Sequence, residues 1–157
     1  MAYLKRGNAI VHGALDYEEG TFIPELRSSE GGSEGQYAST NGVYTKVGRM
    51  VVVNLMINLS GLSGVSAGDL WIQGLPYPPD NVLDGTSYEA SGSCSYWTSY
   101  GPDISTLIPL VAQQGHILLN EIPGGGSDDN SWATIGDLES TSSFRISATY
   151  FIGGGGS

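Results

Sequence analysis

Few residues in this chain are of types that do chemistry, and their spacing argues against catalysis. The two histidines are far apart: His12 lies near the N-terminus and His116 opens an apolar run, so both read as surface or interface residues. Carboxylates come in adjacent pairs, Glu18 with Glu19 and Asp128 with Asp129. A glycosidase needs two carboxyls facing each other across a cleft at a set separation, and neighbours on a strand point to opposite faces. Asp128-Asp129-Asn130 offers oxygen donors of the kind calcium takes, but not the spacing of a known calcium loop. Gly124-Gly125-Gly126 reads as a polar turn rather than an anion nest, and no nucleophile elbow, metal-spaced histidine pair or phosphate loop occurs. Cys94, the single cysteine, cannot close an intramolecular disulfide and reads as a small buried filler between Ser93 and Ser95. The expectation is a protein without enzymatic activity, metal or cofactor.

Binding is better supported. Tyr96-Trp97-Thr98-Ser99-Tyr100-Gly101-Pro102-Asp103 packs three aromatics into a segment expected to turn between strands, and Tyr77-Pro78-Pro79-Asp80-Asn81 is a second aromatic loop. Aromatic faces stack on sugar rings, and Asp103 could fix hydroxyls, so Tyr96, Trp97, Tyr100, Asp103 and Tyr77 are the candidate glycan contacts. The same rings would also serve to cover the end of a core or a neighbouring subunit.

Composition limits the partners. Six Lys and Arg against sixteen Asp and Glu give a net charge of −10, which argues against nucleic acid and anionic membrane surfaces. No apolar run approaches the roughly 18 residues of a membrane span, and the N-terminal segment lacks a signal-peptide core. The expectation is synthesis in a cytoplasm. With 24 glycines and only 14% charged residues, the chain suits short strands and tight turns better than long helices.

The elements that must position these residues follow from alternation. In Met50–Ser60 the residues Val51, Val53, Leu55, Ile57 and Leu59 fall on one face, the period of a strand. Its other face carries Met50, Val52, Asn54, Met56 and Asn58, half apolar, as a subunit interface or a partly covered sheet would be. Near the C-terminus Phe144, Ile146, Ala148, Tyr150 and Ile152 repeat the pattern. Further strands are expected at 37–39, 42–47, 69–74, 87–97, 104–112, 116–122 and 132–138, with a hairpin turn at Thr40-Asn41-Gly42. These add up to an all-β, antiparallel β-sandwich with jelly-roll-like connections over residues 20–152. Residues 1–19 form an arm, either mobile or anchored to a partner through Tyr3, Leu4, Ile10, Val11 and Leu15. Residues 153–157 have the composition of a linker.

Four motifs in order carry a family resemblance. They are Leu15-Asp16-Tyr17-Glu18-Glu19-Gly20-Thr21-Phe22-Ile23-Pro24, Gly42-Val43-Tyr44-Thr45-Lys46-Val47-Gly48-Arg49-Met50-Val51, Leu70-Trp71-Ile72-Gln73-Gly74-Leu75-Pro76-Tyr77 and Phe144-Arg145-Ile146-Ser147-Ala148-Thr149-Tyr150-Phe151. Together they resemble the C-terminal β-sandwich modules of bacteriophage tail-fibre and tailspike proteins, with Phe22 where tryptophan is common. In the first motif an acidic turn over residues 16–20 is expected, with the first strand beginning at Thr21. The resemblance implies a homotrimer on a virion surface, for which Val52, Asn54 and Met56 are the candidate interface. It also implies contact with a host receptor, with the arm joining another virion protein, either a fibre shaft or a capsid protein. The tail-fibre type is the expected role, where the module is familiar; the alternative that a short chain also suits is a capsid decoration protein that stabilises the phage head.

Overall fold

The computed structural model describes residues 4–6, 9–11, 16–79, 88–101, 103–125 and 130–153, with the backbone alone at 4–6, 9–11, 88 and 89. Its strands are β1 (Leu4–Arg6), β2 (Ala9–Val11), β3 (Tyr17–Phe22), β4 (Glu25–Ser28), β5 (Gln36–Val47), β6 (Met50–Gly61), β7 (Leu70–Gln73), β8 (Tyr88–Tyr100), β9 (Ile104–Ala112), β10 (Ile117–Pro123), β11 (Ser131–Trp132) and β12 (Leu138–Phe151). One 3₁₀ turn, Ile135–Asp137, is the only helical element among the described residues.

Strands β1 and β2 pair in a separate small sheet. All other strands belong to a single antiparallel sheet in the order β3-β5-β6-β12-β8-β9-β10-β7-β4, with β11 paired to β10. Its two edge strands, β3 and β4, are consecutive in the chain and separated only by Ile23 and Pro24. Three residues of extended chain span at most about 10 Å, so the sheet must curl until its ends nearly meet. The result is a half-barrel. Pro24, which has no N–H to give a ladder, lies where the chain passes between the edges, and its carbonyl accepts from the Thr40 hydroxyl at 2.8 Å.

The curl is made at β8. Its first part pairs with β9, ending at Ser91↔Leu110, and its remainder pairs with β12, from Gly92↔Ala148 onward. A Cβ on Gly92 would overlap the Ser147 carbonyl oxygen and lie 3.0 Å from Ala148 Cα and Cβ. Glycine is required here because two backbones approach closely, a common use of glycine at a sheet corner. Once β8 has left, β9 pairs with no strand on that side among the described residues, and Pro109 sits just past the last shared rung.

The core fills the inside of the curl. The five expected residues of β6 are at most 5% exposed, and Phe144, Ile146, Ala148 and Tyr150 of β12 at most 3%. Opposite them lie Leu26, Leu70, Ile72, Leu107, Val111, Ile117 and Leu119, all essentially buried. Burial of apolar surface at roughly 25 cal/mol per Å² is the main stabilising term here.

Several local expectations are corrected. Residues 17–19 are strand rather than an acidic turn, because Tyr17, Glu18 and Glu19 pair with Val47, Lys46 and Thr45. Thr40-Asn41-Gly42 is not a turn: β5 runs through it unbroken. Gly42 faces inward, and a Cβ there would lie 2.5 to 2.7 Å from three atoms of the Phe22 ring, so the glycine makes room for an aromatic. The hairpin turn is instead at Gly48-Arg49, where Gly48 takes a φ of 59°. Glu25–Ser28 is a strand the sequence did not announce, and the expected strand at 132–138 is a two-residue strand followed by the 3₁₀ turn.

Candidate functional site

The five aromatic and acidic residues expected to form one binding platform are not together. Tyr96, Trp97 and Tyr100 lie on β8, not in a turn, because the segment pairs with β12 as far as Tyr100↔Leu138. Alternation then separates neighbours. Trp97 pairs with the buried Phe144 and packs on the core, while Tyr96 pairs with the exposed Arg145 and stays 47% exposed. Tyr100 turns inward, edge-on to Phe144 at 6.2 Å between centroids, and its hydroxyl donates to Glu121. Glu121 is buried on β10 and accepts a second bond from the Ser131 hydroxyl at 2.7 Å. Burial, then the Glu121 carboxylate, push the Tyr100 phenol strongly upward. Asp103 is exposed, and its carbonyl accepts from the Gly124 N–H at 3.0 Å.

Tyr77 is part of a different cluster, on the inner side at the start of β3. Its hydroxyl donates to Glu18 at 2.7 Å, and the Tyr44 hydroxyl donates to the same carboxylate at 2.5 Å. These two bonds, Tyr44 first, hold Glu18 below the usual carboxylate range, and the bond to Glu18 pushes the Tyr77 phenol up to about 12. Lys46, almost fully buried, reaches Asp16 at 2.8 Å and lies 5.9 Å from the Tyr77 ring centroid. Tyr150, wholly buried, donates to the Tyr77 carbonyl at 2.9 Å. The cluster fastens the start of the main sheet to β5 and to the Tyr77 loop. Sequence reading missed it because its members are far apart in the chain.

His116 is not a surface residue: it is 5% exposed and stacks on Trp71 with centroids 4.2 Å apart. Burial pushes its imidazole downward, favouring the neutral form. Cys94 is half-buried against the core, as expected of a filler, and burial raises its thiol. Among the described residues no group of His, Cys, Asp and Glu has the arrangement of a metal site, and no helix is long and apolar enough to cross a membrane. His12, Asp128, Asp129, Tyr3 and Leu15 lie outside the described residues; Leu4, Ile10 and Val11 are in the β1–β2 hairpin.

What remains in the open is the outer face of the half formed by β3, β5, β6, β12 and β8. Register places its side chains in rows across the strands. Tyr17, Val47, Met50 and Phe151 make an apolar row at one end. Next come Glu19, Thr45, Val52 and Thr149, then Thr21, Val43, Asn54 and Ser147, then Asn41, Met56, Arg145 and Tyr96. The candidate interface residues Val52, Asn54 and Met56 thus project from the centre of this face. Tyr17, Val43, Met50, Tyr96 and Phe151 are between 38% and 55% exposed, and all five are here. Two open depressions indent the face. One, of about 320 Å³, is lined by Asn41, Val43, Asn54, Met56, Ser95, Arg145 and Ser147 with Leu55 and Ile146 at its base; the other, of about 480 Å³, lies between β3, β5 and Asn54.

No protein-family model matches the chain, and no curated protein matches it. Among solved structures it is similar to the crystal structure of Dettilon tailspike protein (gp208), with a TM-score of 0.61 and 24% sequence identity. The likeness covers 86% of this chain and 24% of that one, so the chain spans about a quarter of the tailspike's length. At this identity what is shared is the fold: the curled antiparallel sheet is an architecture found in a phage tail protein.

Proposed function

We propose that this chain is a non-enzymatic structural module of a phage tail, assembled as a homotrimer of tail-fibre type at the virion surface and contacting a host surface glycan. The observation that carries this reading is the fold shared with a tailspike over 86% of the chain. The four sequence motifs lie on β3, on the β5–β6 hairpin, on β7 and on β12, so the resemblance falls on the strands that make the sheet. We read the half-barrel as two facing layers, a β-sandwich with jelly-roll connections. Copies would meet through the apolar end of the outer face, around Tyr17, Val47, Met50, Val52 and Phe151, with Asn54 and Met56 at the margin. The β1–β2 segment would join a neighbouring virion protein. The likeness to a tailspike favours the tail over the capsid as the place of attachment.

Labelling intact particles with an antibody against the purified chain tests the location. Label at the tail is expected; label over the head at hundreds of copies per particle would instead make it a decoration protein. Purified chain should sediment as a trimer, bind host surface polysaccharide and leave its chain length unchanged. A monomer, an absence of binding, or shortened polysaccharide would each remove the corresponding part of the proposal.

A further inference from the structure

We infer that the depression of about 320 Å³ on the outer face is a binding site for an acidic saccharide, with the Arg145 guanidinium, backed by the Tyr96 ring, holding its carboxylate and Val43 and Met56 meeting the apolar face of the sugar. This rests on the glycan reading above and names the subsite and the class of sugar.

Arg145 is the starting point. It projects from β12 into the open in a chain of net charge −10, yet neither of the ion pairs found among the described residues uses it. Its neighbour is instead the Tyr96 ring, whose centroid lies 5.7 Å away. An arginine parked over an aromatic face keeps its fork of N–H donors, the geometry that takes a carboxylate bidentately. The residues lining the depression include no carboxylate to compete with that ligand.

The remaining lining suits a sugar. Asn41, Asn54, Ser95 and Ser147 bring amide and hydroxyl groups to the rim, and Val43 and Met56 supply apolar surface for C–H groups. The Ser147 hydroxyl donates to the Asn54 side-chain carbonyl, leaving the Asn54 amide N–H groups without a partner among the described residues. Ser95 is present because of a β-bulge. Cys94 and Tyr96 pair with Ile146 and Arg145, which are adjacent, so Ser95 is an extra residue on β8. Such insertions re-aim side chains and are common beside functional sites. The volume is near the lower end for small-molecule pockets, about 300 Å³, which fits one or two sugar rings. A single cation also fits a carboxylate-bearing sugar better than a polyphosphate, which needs several. Along β6 the near row of the site, at Asn54, lies four residues from Met50, about 13 Å at strand rise, and Arg145 opposite Met56 lies six residues away, about 20 Å, so the site borders the proposed contact between copies with Arg145 on its far side.

The test uses the full chain, isotope-labelled, with short oligomers of hexuronic acid and of sialic acid, each beside its carboxyl-reduced counterpart. Amide shifts should map to residues 41, 54, 95, 145 and 147. Affinity should fall about tenfold or more on carboxyl reduction or in Arg145→Gln, and less in Arg145→Lys, which keeps charge without the fork. Arg145→Gln should keep the wild-type melting midpoint, since Arg145 is exposed. Binding that survives carboxyl reduction or Arg145→Gln, shifts confined elsewhere, or no binding of any acidic oligomer would overturn the inference. If host polysaccharide still binds in those cases, the glycan reading stands; if it does not, both fall.

Discussion

Replacing Gly92 with alanine should open the corner on which the half-barrel depends. The added Cβ would overlap the Ser147 carbonyl oxygen and lie 3.0 Å from both Ala148 Cα and Cβ, against the roughly 3.5–4.0 Å at which carbon atoms pack well. These are atoms of a central strand and its methyl stub, with no long side chain to swing aside, so β8 and β12 must separate. Overpacking of this kind costs about 1–3 kcal/mol, and backbone on the receiving side puts Gly92 toward the upper end. Removing a strand glycine returns about 0.5–1 kcal/mol. The net is a loss of about 2 kcal/mol, or a melting midpoint lower by about 4–8 °C for a domain of this size. Urea denaturation followed by tryptophan fluorescence and by far-UV dichroism would measure it, the two curves coinciding if unfolding is two-state. Gly48→Ala is the control: its φ of 59° disfavours a side chain but nothing lies within 4 Å, so only about 1 kcal/mol should be lost. A Gly92→Ala protein as stable as wild type, or less affected than Gly48→Ala, would refute the close-approach argument.

Gly42→Ala should destabilise by about 1–2 kcal/mol, and Phe22→Leu should relieve most of that loss in the double variant, as a double-mutant cycle in urea would show; additive effects would refute the argument that Gly42 makes room for the Phe22 ring. Tyr100→Phe should cost about 1–3 kcal/mol, because buried Glu121 would keep only Ser131, and it should leave glycan binding unchanged. Glu18 is held below the ordinary carboxylate range, so its contribution is present above that range and fades as pH falls through the lowered folded-state value. The acid limb of stability against pH should therefore flatten in Glu18→Gln. Tyr37 of β5, whose hydroxyl accepts from the Leu26 N–H at 2.7 Å, is pushed up to about 12 by burial, and Tyr77 to about 12 by Glu18. Their contribution is therefore present below the ordinary phenol value of about 10 and is lost as pH rises toward 12. Phenolate absorbance should show them ionising later in the native chain than in urea.

The long strands were legible because one face of each is nearly pure aliphatic: Val51 to Leu59 and Phe144 to Tyr150 announce both period and burial. The edge of the sheet was less so. Glu25–Ser28 alternates over only four residues, and Tyr17–Glu19 carries acids that look like a turn until Tyr44 and Tyr77 are seen to donate to Glu18. Asn41-Gly42 failed for a related reason, since a glycine chosen to admit an aromatic ring has the same spelling as a hairpin. For the candidate site, the sequence found Tyr96 and the half-polar face of β6. It also grouped Trp97 and Tyr100 with Tyr96; alternation turns Trp97 to the core, and the irregularity at Ser99, with a φ of 54° and a shift in register, turns Tyr100 inward. Arg145 and Ser95 gained meaning only from cross-strand register and a bulge, neither of which one strand's sequence encodes.

The two-residue passage at Ile23-Pro24 has a mechanical consequence. A pull on the N-terminal segment enters the sheet at β3, an edge strand held by β5 and by the Glu18 and Asp16 contacts. Should β3 peel away, tension passes through Pro24 to β4, which is laced to β7 at the opposite edge. The seam that joins the two edges thus acts as a second anchorage in series with the first. A module tethered by its N-terminus would keep the β5, β6, β12 and β8 part of its outer face and most of its core assembled while β3 gave way.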